Sequence, residues 1–131
     1  MLTIAELRRM AQARLRDAEV LLGRGRSDGA VYLCGYAVEM ALKARICRTL
    51  RWEGFPETGS EFRDFQSFRT HDLEVLLHMS GVEQNVLSRF PSQWASVATW
   101  SPDRRYFPIG TTSPGEAANM VEAARVIVRA L

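Results

Sequence analysis

Between Ala30 and Leu42 the chain sets apolar residues on nearly every side of a helix: Ala30, Val31, Leu33, Cys34, Ala37, Val38, Met40, Ala41 and Leu42. A helix with one apolar stripe can lie on a core, but a helix apolar all round needs neighbours on all sides. The rest of the chain must therefore wrap around this segment. With 131 residues it has the length of one ordinary domain, enough to bury most of the surface that the unfolded chain exposes. The most apolar part, Ala30 to Val38, stops at Glu39, well short of a membrane span. Glu39 and Lys43 interrupt the apolar run at the i,i+4 spacing that favours a pair, and Gly35 offers a place for a neighbouring helix to come close.

The flanking segments read as helices that supply those neighbours. Thr3 followed by Glu6 predicts a capping box, and Ile4, Leu7, Ala11, Leu15, Ala18 and Leu22 then recur at helical spacing until Gly23. After a short glycine-bearing turn, Ser27 or Asp28 is expected to cap the central helix, which runs to about Leu50. From Arg51 to Arg69 the periodicity fails, and Trp52, Phe55, Phe62, Phe65 and Phe68 are expected to cover one end of the bundle. Thr70 is expected to cap a third helix carrying Leu73, Leu76 and Leu77, with Gly81 breaking it before short helices near 82–90 and 91–100. Ser101 to Ser113 reads as a loop, and Ser113, Pro114 and Glu116 open a final helix with Ala117, Met120, Val121, Ala124, Ile127 and Val128 on its stripe. No segment alternates as a strand does. The fold class is all-α, a compact bundle of about five helices, read as one domain over residues 1–131.

Charge and cysteine usage narrow the chemistry. Sixteen of the seventeen basic residues are arginine, and no Gly-Lys pair exists, which excludes a phosphate loop of the Gly-x4-Gly-Lys kind. Residues 1–51 hold ten basic and five acidic side chains against seven and ten in residues 52–131, a split that suits either an anionic ligand or complementary surfaces in an oligomer. Cys34 and Cys47 fall in one helix about 20 Å apart, beyond disulfide reach. They read as core residues of a cytoplasmic protein. Neither they nor His71 and His78 have metal-ligand spacing, so no metal site and no cofactor is expected.

The sharpest functional signal is Arg104-Arg105-Tyr106, in a loop. Guanidiniums grip phosphate, and a tyrosine can stack on a base or donate to a phosphate. One arginine could instead pair with Glu39 or Asp103. Lys43, His71 and Glu39 are the candidate neighbours of this ligand site, with His71 able to act structurally by tying the long connection to the bundle.

The order of motifs is similar to that of a known family. Asp17-Ala18-Glu19-Val20-Leu21-Leu22, then the block from Asp28 to Ala44 with Ala37-Val38-Glu39-Met40-Ala41-Leu42-Lys43-Ala44, then Thr70-His71-Asp72-Leu73, then Trp100 and Arg105-Tyr106, resembles the HEPN (higher eukaryote and prokaryote nucleotide-binding) domain family. The resemblance implies a helical bundle that is often a homodimer and that bacteria commonly encode beside a minimal nucleotidyltransferase, as a two-component or toxin–antitoxin pair. It also implies, for many members, metal-independent RNase activity from an arginine followed after about four to six residues by histidine. This chain departs from that motif: the matching positions before His71 are Gln66, Phe65 and Asp64, and before His78 they are Leu73, Asp72 and His71. The expectation is thus a non-catalytic module that binds nucleotide or RNA or serves a nucleotidyltransferase partner. The alternatives are an RNase built on His71 with Arg69 or Arg105, and a purely structural dimerisation module.

Overall fold

The computed structural model describes residues 1–131. Its elements, in order, are β1 (Leu2–Thr3), α1 (Ile4–Gly23), α2 (Ser27–Leu50), β2 (Gly54–Phe55), a 3-10 turn at Gln66–Phe68, α3 (Leu73–Met79), α4 (Glu83–Arg89), α5 (Pro91–Ala98), a second 3-10 turn at Pro102–Tyr106, and α6 (Pro114–Ala130). The architecture is all-α, with six helices, and α2 is the axis. Twelve residues of α2 are buried, from Ala30 through Cys47, as its apolar circumference requires. α1 and α6 lie along it with their stripes inward: Leu7, Ala11, Leu15 and Ala18 from α1, and Ala117, Val121, Ala124 and Ile127 from α6. These residues belong to one continuous core of 30 buried side chains. No helix is long and apolar enough to cross a membrane.

The caps follow local chemistry where nothing distant competes. Thr3 and Glu6 form the reciprocal box at α1. At α6 Ser113 accepts from the Glu116 N–H, and its hydroxyl donates to Glu116 Oε1, so the box is made by side chains on one side only. α2 departs from expectation, because its N-cap is Arg26 and no side chain caps it. Asp28 is occupied elsewhere: its two oxygens accept from the Gly110 N–H at 2.7 Å and the Thr112 N–H at 3.0 Å, anchoring the loop before α6. α3 is capped by Asp72, not Thr70; the Asp72 carboxylate accepts from the Glu74 and Val75 N–H groups, while Thr70 Oγ1 accepts from the Asp72 N–H.

Two features lay below the reach of periodicity. Leu2 and Thr3 pair antiparallel with Phe55 and Gly54, a two-residue ladder too short to alternate. The aromatic connection closes over the bundle end, with Trp52 between Phe65 and Phe68 at ring-centroid distances of 5.0 Å each, and Phe55 and Phe62 buried beneath.

Gly35 does admit a close neighbour, but that neighbour is the Trp100 indole: a Cβ built on Gly35 would lie 2.0 Å from Trp100 Cε2. The indole is also held by its own N–H, which donates to the Tyr32 carbonyl at 3.2 Å. Both cysteines are free and buried, and burial pushes the thiols up, Cys34 to about 12 and Cys47 to about 11, so both stay protonated.

Gly35→Ala is expected to cost about 1–3 kcal/mol, as overpacking does, and to change Trp100 fluorescence. An unaltered denaturation midpoint would show that the indole is not seated on α2. The backbone N–H groups at Gly110 and Thr112 hold the Asp28 carboxyl below the ordinary aspartate range. Its stabilisation is therefore present above that range and lost as pH falls through the folded-state value. Asp28→Asn should accordingly melt below the parent at neutral pH, with the difference closing in acid; a difference independent of pH would contradict this anchoring.

Candidate ligand-binding site

Helical spacing puts Tyr32, Tyr36, Glu39 and Lys43 on one face of α2, within an arc of roughly 60°. Glu39 is only 1% exposed, so its charge must be paired to be tolerated there. Both oxygens are used: Lys43 Nζ lies 3.3 Å from Oε2, and His71 Nδ1 lies 2.7 Å from Oε1. An ionised carboxylate only accepts, so His71 donates through Nδ1–H, and Nε2 carries the lone pair or a second proton. The imidazole is held from behind while its side chain is 61% exposed. Lys43, by contrast, is 14% exposed and also sits over the Phe55 ring, 5.1 Å from its centroid. It is committed to Glu39 and to the aromatic cap.

His71 reaches α2 because the segment around it is fixed on both sides. Asp72 caps α3, and Leu73, Leu76 and Leu77 bury that short helix against the core. On the other side Arg69 lies over Phe62 of the aromatic connection, 5.6 Å from the ring centroid. Histidine 71 thus occupies the junction where the connection enters α3.

Above it stands an aromatic wall. Tyr36 meets Trp100 edge-on at 4.9 Å and Tyr32 edge-on at 5.3 Å. Partial burial, with Tyr32 and Glu39 adding to it and Arg105 opposing, pushes the Tyr36 phenol up to about 12, so it remains a neutral hydroxyl. Ser101 caps the turn Pro102–Tyr106, which delivers Arg105 to this wall. Arg105 donates to the Pro102 carbonyl at 3.4 Å, and its guanidinium lies 4.8 Å from the centroid of Tyr106, a ring that is 75% exposed. The Tyr106 and Tyr32 hydroxyls push the Arg105 guanidinium further up, and its charge is permanent.

Of the six residues singled out from the sequence, Glu39, Lys43 and His71 come together, and Arg105 with Tyr106 lies by the tyrosines next to them. Arg104 does not join them. It reaches toward Thr112 at 3.5 Å and over the Phe107 ring at 5.5 Å, and its Nε is buried without a partner. The two arginines therefore do not form one fork on one phosphate. Neither pairs with Glu39 or Asp103; Glu39 takes Lys43 and His71 instead. Tyr32, Tyr36 and Trp100 are the members that residue-type reasoning passed over as site residues, although the spacing of Tyr32 and Tyr36 before Glu39 and Lys43 held the signal. No three His, Cys, Asp or Glu side chains converge as a metal site would require.

Glu39→Ala would leave the Lys43 ammonium without its partner at a nearly buried position. The expected loss is about 3–5 kcal/mol, and His71→Ala is expected to cost less, because Glu39 then keeps Lys43 as a partner. Urea denaturation measures both, and a Glu39→Ala variant as stable as the parent would remove Glu39 from the centre of the site.

Residues 4–60, from the start of α1 through α2 and β2 into the aromatic connection, match the family model of the HEPN domain. No curated protein and no solved structure matches the chain significantly. The family match falls on the segment that supplies Tyr32, Tyr36, Glu39 and Lys43, and the fold around it is the all-α bundle that the motif order implied: over residues 4–60 the chain is similar to the HEPN domain.

Proposed function

We propose that this chain is a HEPN binding module, not a ribonuclease, and that the face formed by Tyr32, Tyr36, Arg105, Tyr106 and His71 takes a nucleotide or a short stretch of RNA. The observation that carries the reading is the exposed Tyr106 ring beside a permanently charged guanidinium, 4.8 Å apart, next to an anchored histidine. A base can stack on the ring and a phosphate can take the arginine. The sequence departure supports the non-catalytic reading: no arginine stands at the family's spacing before His71, and Arg69, the arginine closest in sequence, is turned onto Phe62.

Partnership is the other half of the proposal. Met10, Leu33, Tyr36 and Met40 line an apolar recess of 380 Å³ between α1 and α2, next to the ligand face. An open apolar recess of this kind suits a protein surface. We assign it to a second copy of the chain in a homodimer, or to the minimal nucleotidyltransferase that accompanies such modules in bacterial two-component, toxin–antitoxin-like systems. Two thiols too far apart to pair fit work in the cytoplasm.

One contact favours a second reading. The 2.7 Å bond from His71 to Glu39 is the arrangement that fixes a general base, leaving Nε2 to meet a 2′-hydroxyl. Incubation of the protein with RNA in EDTA separates the two: cleavage that His71→Ala abolishes would replace the binding reading with an RNase, and intact RNA is the expected result. Equilibrium titration with nucleotides and short RNA should then detect binding that Arg105→Ala weakens by about tenfold or more, the scale of a charge-assisted hydrogen bond. Unchanged affinity in the variant, or no affinity in the parent, overturns the assignment of this face.

A further inference from the structure

Arg104 is the one residue of the Arg104-Arg105-Tyr106 motif that the ligand face leaves unused, and it lines a recess of its own. The recess, of 190 Å³, lies where the turn Pro102–Tyr106 meets α5, α6 and the first turns of α2. It is smaller than the roughly 300–1,000 Å³ of pockets that hold drug-sized ligands, so an occupant has few heavy atoms. Val31 and Met120, both buried, give it an apolar floor. Of its lining residues only Arg104 and Glu116 are charged, one of each sign.

Opposite charges that share a small recess ordinarily pair with each other, yet none of the protein's ion pairs includes either of these two. Each is held by its own surroundings. Arg104 lies over the Phe107 ring, 5.5 Å from its centroid, and reaches toward the Thr112 hydroxyl at 3.5 Å. Asp28 is near enough for its carboxyl to feel the Arg104 charge, but both its oxygens are taken by the N–H groups of Gly110 and Thr112. Glu116 is fixed by the cap of α6: Oε1 accepts from the Ser113 hydroxyl at 3.1 Å, and Oε2 has no partner within the chain. Asn119 follows Glu116 by three residues, on the same face of α6. Its Nδ2 donates to Ser96 Oγ at 3.2 Å, and Ser96 Oγ donates its own proton to the Ser92 carbonyl at 3.1 Å. Ser96 therefore only accepts from Asn119, which sets the amide with Oδ1 free. One wall thus holds two unused acceptors and the other an unpaired guanidinium.

We propose that this recess binds a small zwitterion, an α-amino acid with a short side chain such as alanine, with its carboxylate on Arg104 and its ammonium between Glu116 and Asn119. A guanidinium fork matches the two oxygens of a carboxylate, and an ammonium with three donors matches a carboxylate and an amide oxygen side by side. The short side chain lies on Val31 and Met120, and a long one exceeds the volume. A simple anion would face the Glu116 charge, and a simple cation would face Arg104. A nucleotide is too large for the recess and would set its phosphates against Glu116. The site is separate from the face proposed above and stands whether or not that face binds a nucleotide.

Proton–nitrogen NMR of the full chain titrated with alanine tests this, with propionate, ethylamine and phenylalanine as comparison ligands. Alanine is expected to give a saturating shift of the Asn119 side-chain amide and of the Arg104 Nε–H. Propionate and ethylamine each keep one of the two charged contacts and should bind at least about tenfold more weakly, the scale of one charge-assisted hydrogen bond. Phenylalanine should also bind at least about tenfold more weakly, because its ring exceeds the recess. Glu116→Gln keeps the side chain's shape and its place in the cap, and should weaken alanine binding by about tenfold or more, as should Arg104→Gln. Should the Arg104→Gln protein fail to fold, Glu116→Gln and the comparison with propionate decide the matter. The assignment is overturned by the absence of a saturating shift at Asn119, by any comparison ligand that binds as tightly as alanine, or by a folded variant that keeps the parent's affinity.

Discussion

A single buried carboxylate organises this molecule. Glu39 sits in the middle of the central helix at 1% exposure, where an unpaired charge would be intolerable. Its two partners come from different places. Lys43 is local, one turn on along α2; His71 is 32 residues distant in sequence. Satisfying the charge therefore binds the far side of the long connection to the central helix. Lys43 extends the same tie to Phe55, and through it to the ladder with Leu2 and to the aromatic rings packed around Trp52. The requirement that a buried charge be paired thus fixes how the connection closes, and sets an oriented imidazole at the surface where it ends.

Around this anchor the two sides of α2 diverge in chemistry. One bears tyrosines, a tryptophan, the anchored histidine and an arginine with permanent charge, a surface of rings and hydrogen-bond donors. The other is shallow, floored with alanine and walled with arginine. The excess of basic residues in the first 51 positions acquires a location in this way, because Arg8, Arg45 and Arg48 converge there, joined by Arg129 from α6. A helix that the core surrounds can still present two separate polar margins, provided that small residues keep the helices on either side from covering them.

Much of this fold is legible in the sequence. Capping at Thr3 and Ser113, the inward stripes of α1 and α6, the all-round apolarity of α2 and the Glu39–Lys43 pair are all local, set by neighbours within a turn or two. What sequence could not carry was long-range competition. Asp28 has the side chain of a cap yet serves two N–H groups more than 80 residues away. Gly35 announces a close approach without saying that an indole fills it. The parting of Arg104 and Arg105 has a geometric cause: neighbours in a 3-10 turn project about 120° apart, so a pair that looks like one cationic clamp in sequence faces two directions in space. Three of the six candidate site residues meet because Glu39 needed partners, a reason that residue spacing alone does not display.

The direction of the hydrogen bond between His71 and Glu39 tests this account most directly, and nitrogen-15 NMR of the histidine side chain reads it. An isolated imidazole in water favours the proton on Nε2. A carboxylate at 2.7 Å that can only accept requires it on Nδ1. Nδ1 is expected to carry the proton at neutral pH, in a state that Glu39→Gln disturbs. A bare Nδ1 with the proton on Nε2 would contradict it, because His71 would then not satisfy the buried charge and the face built around it would lose its anchor.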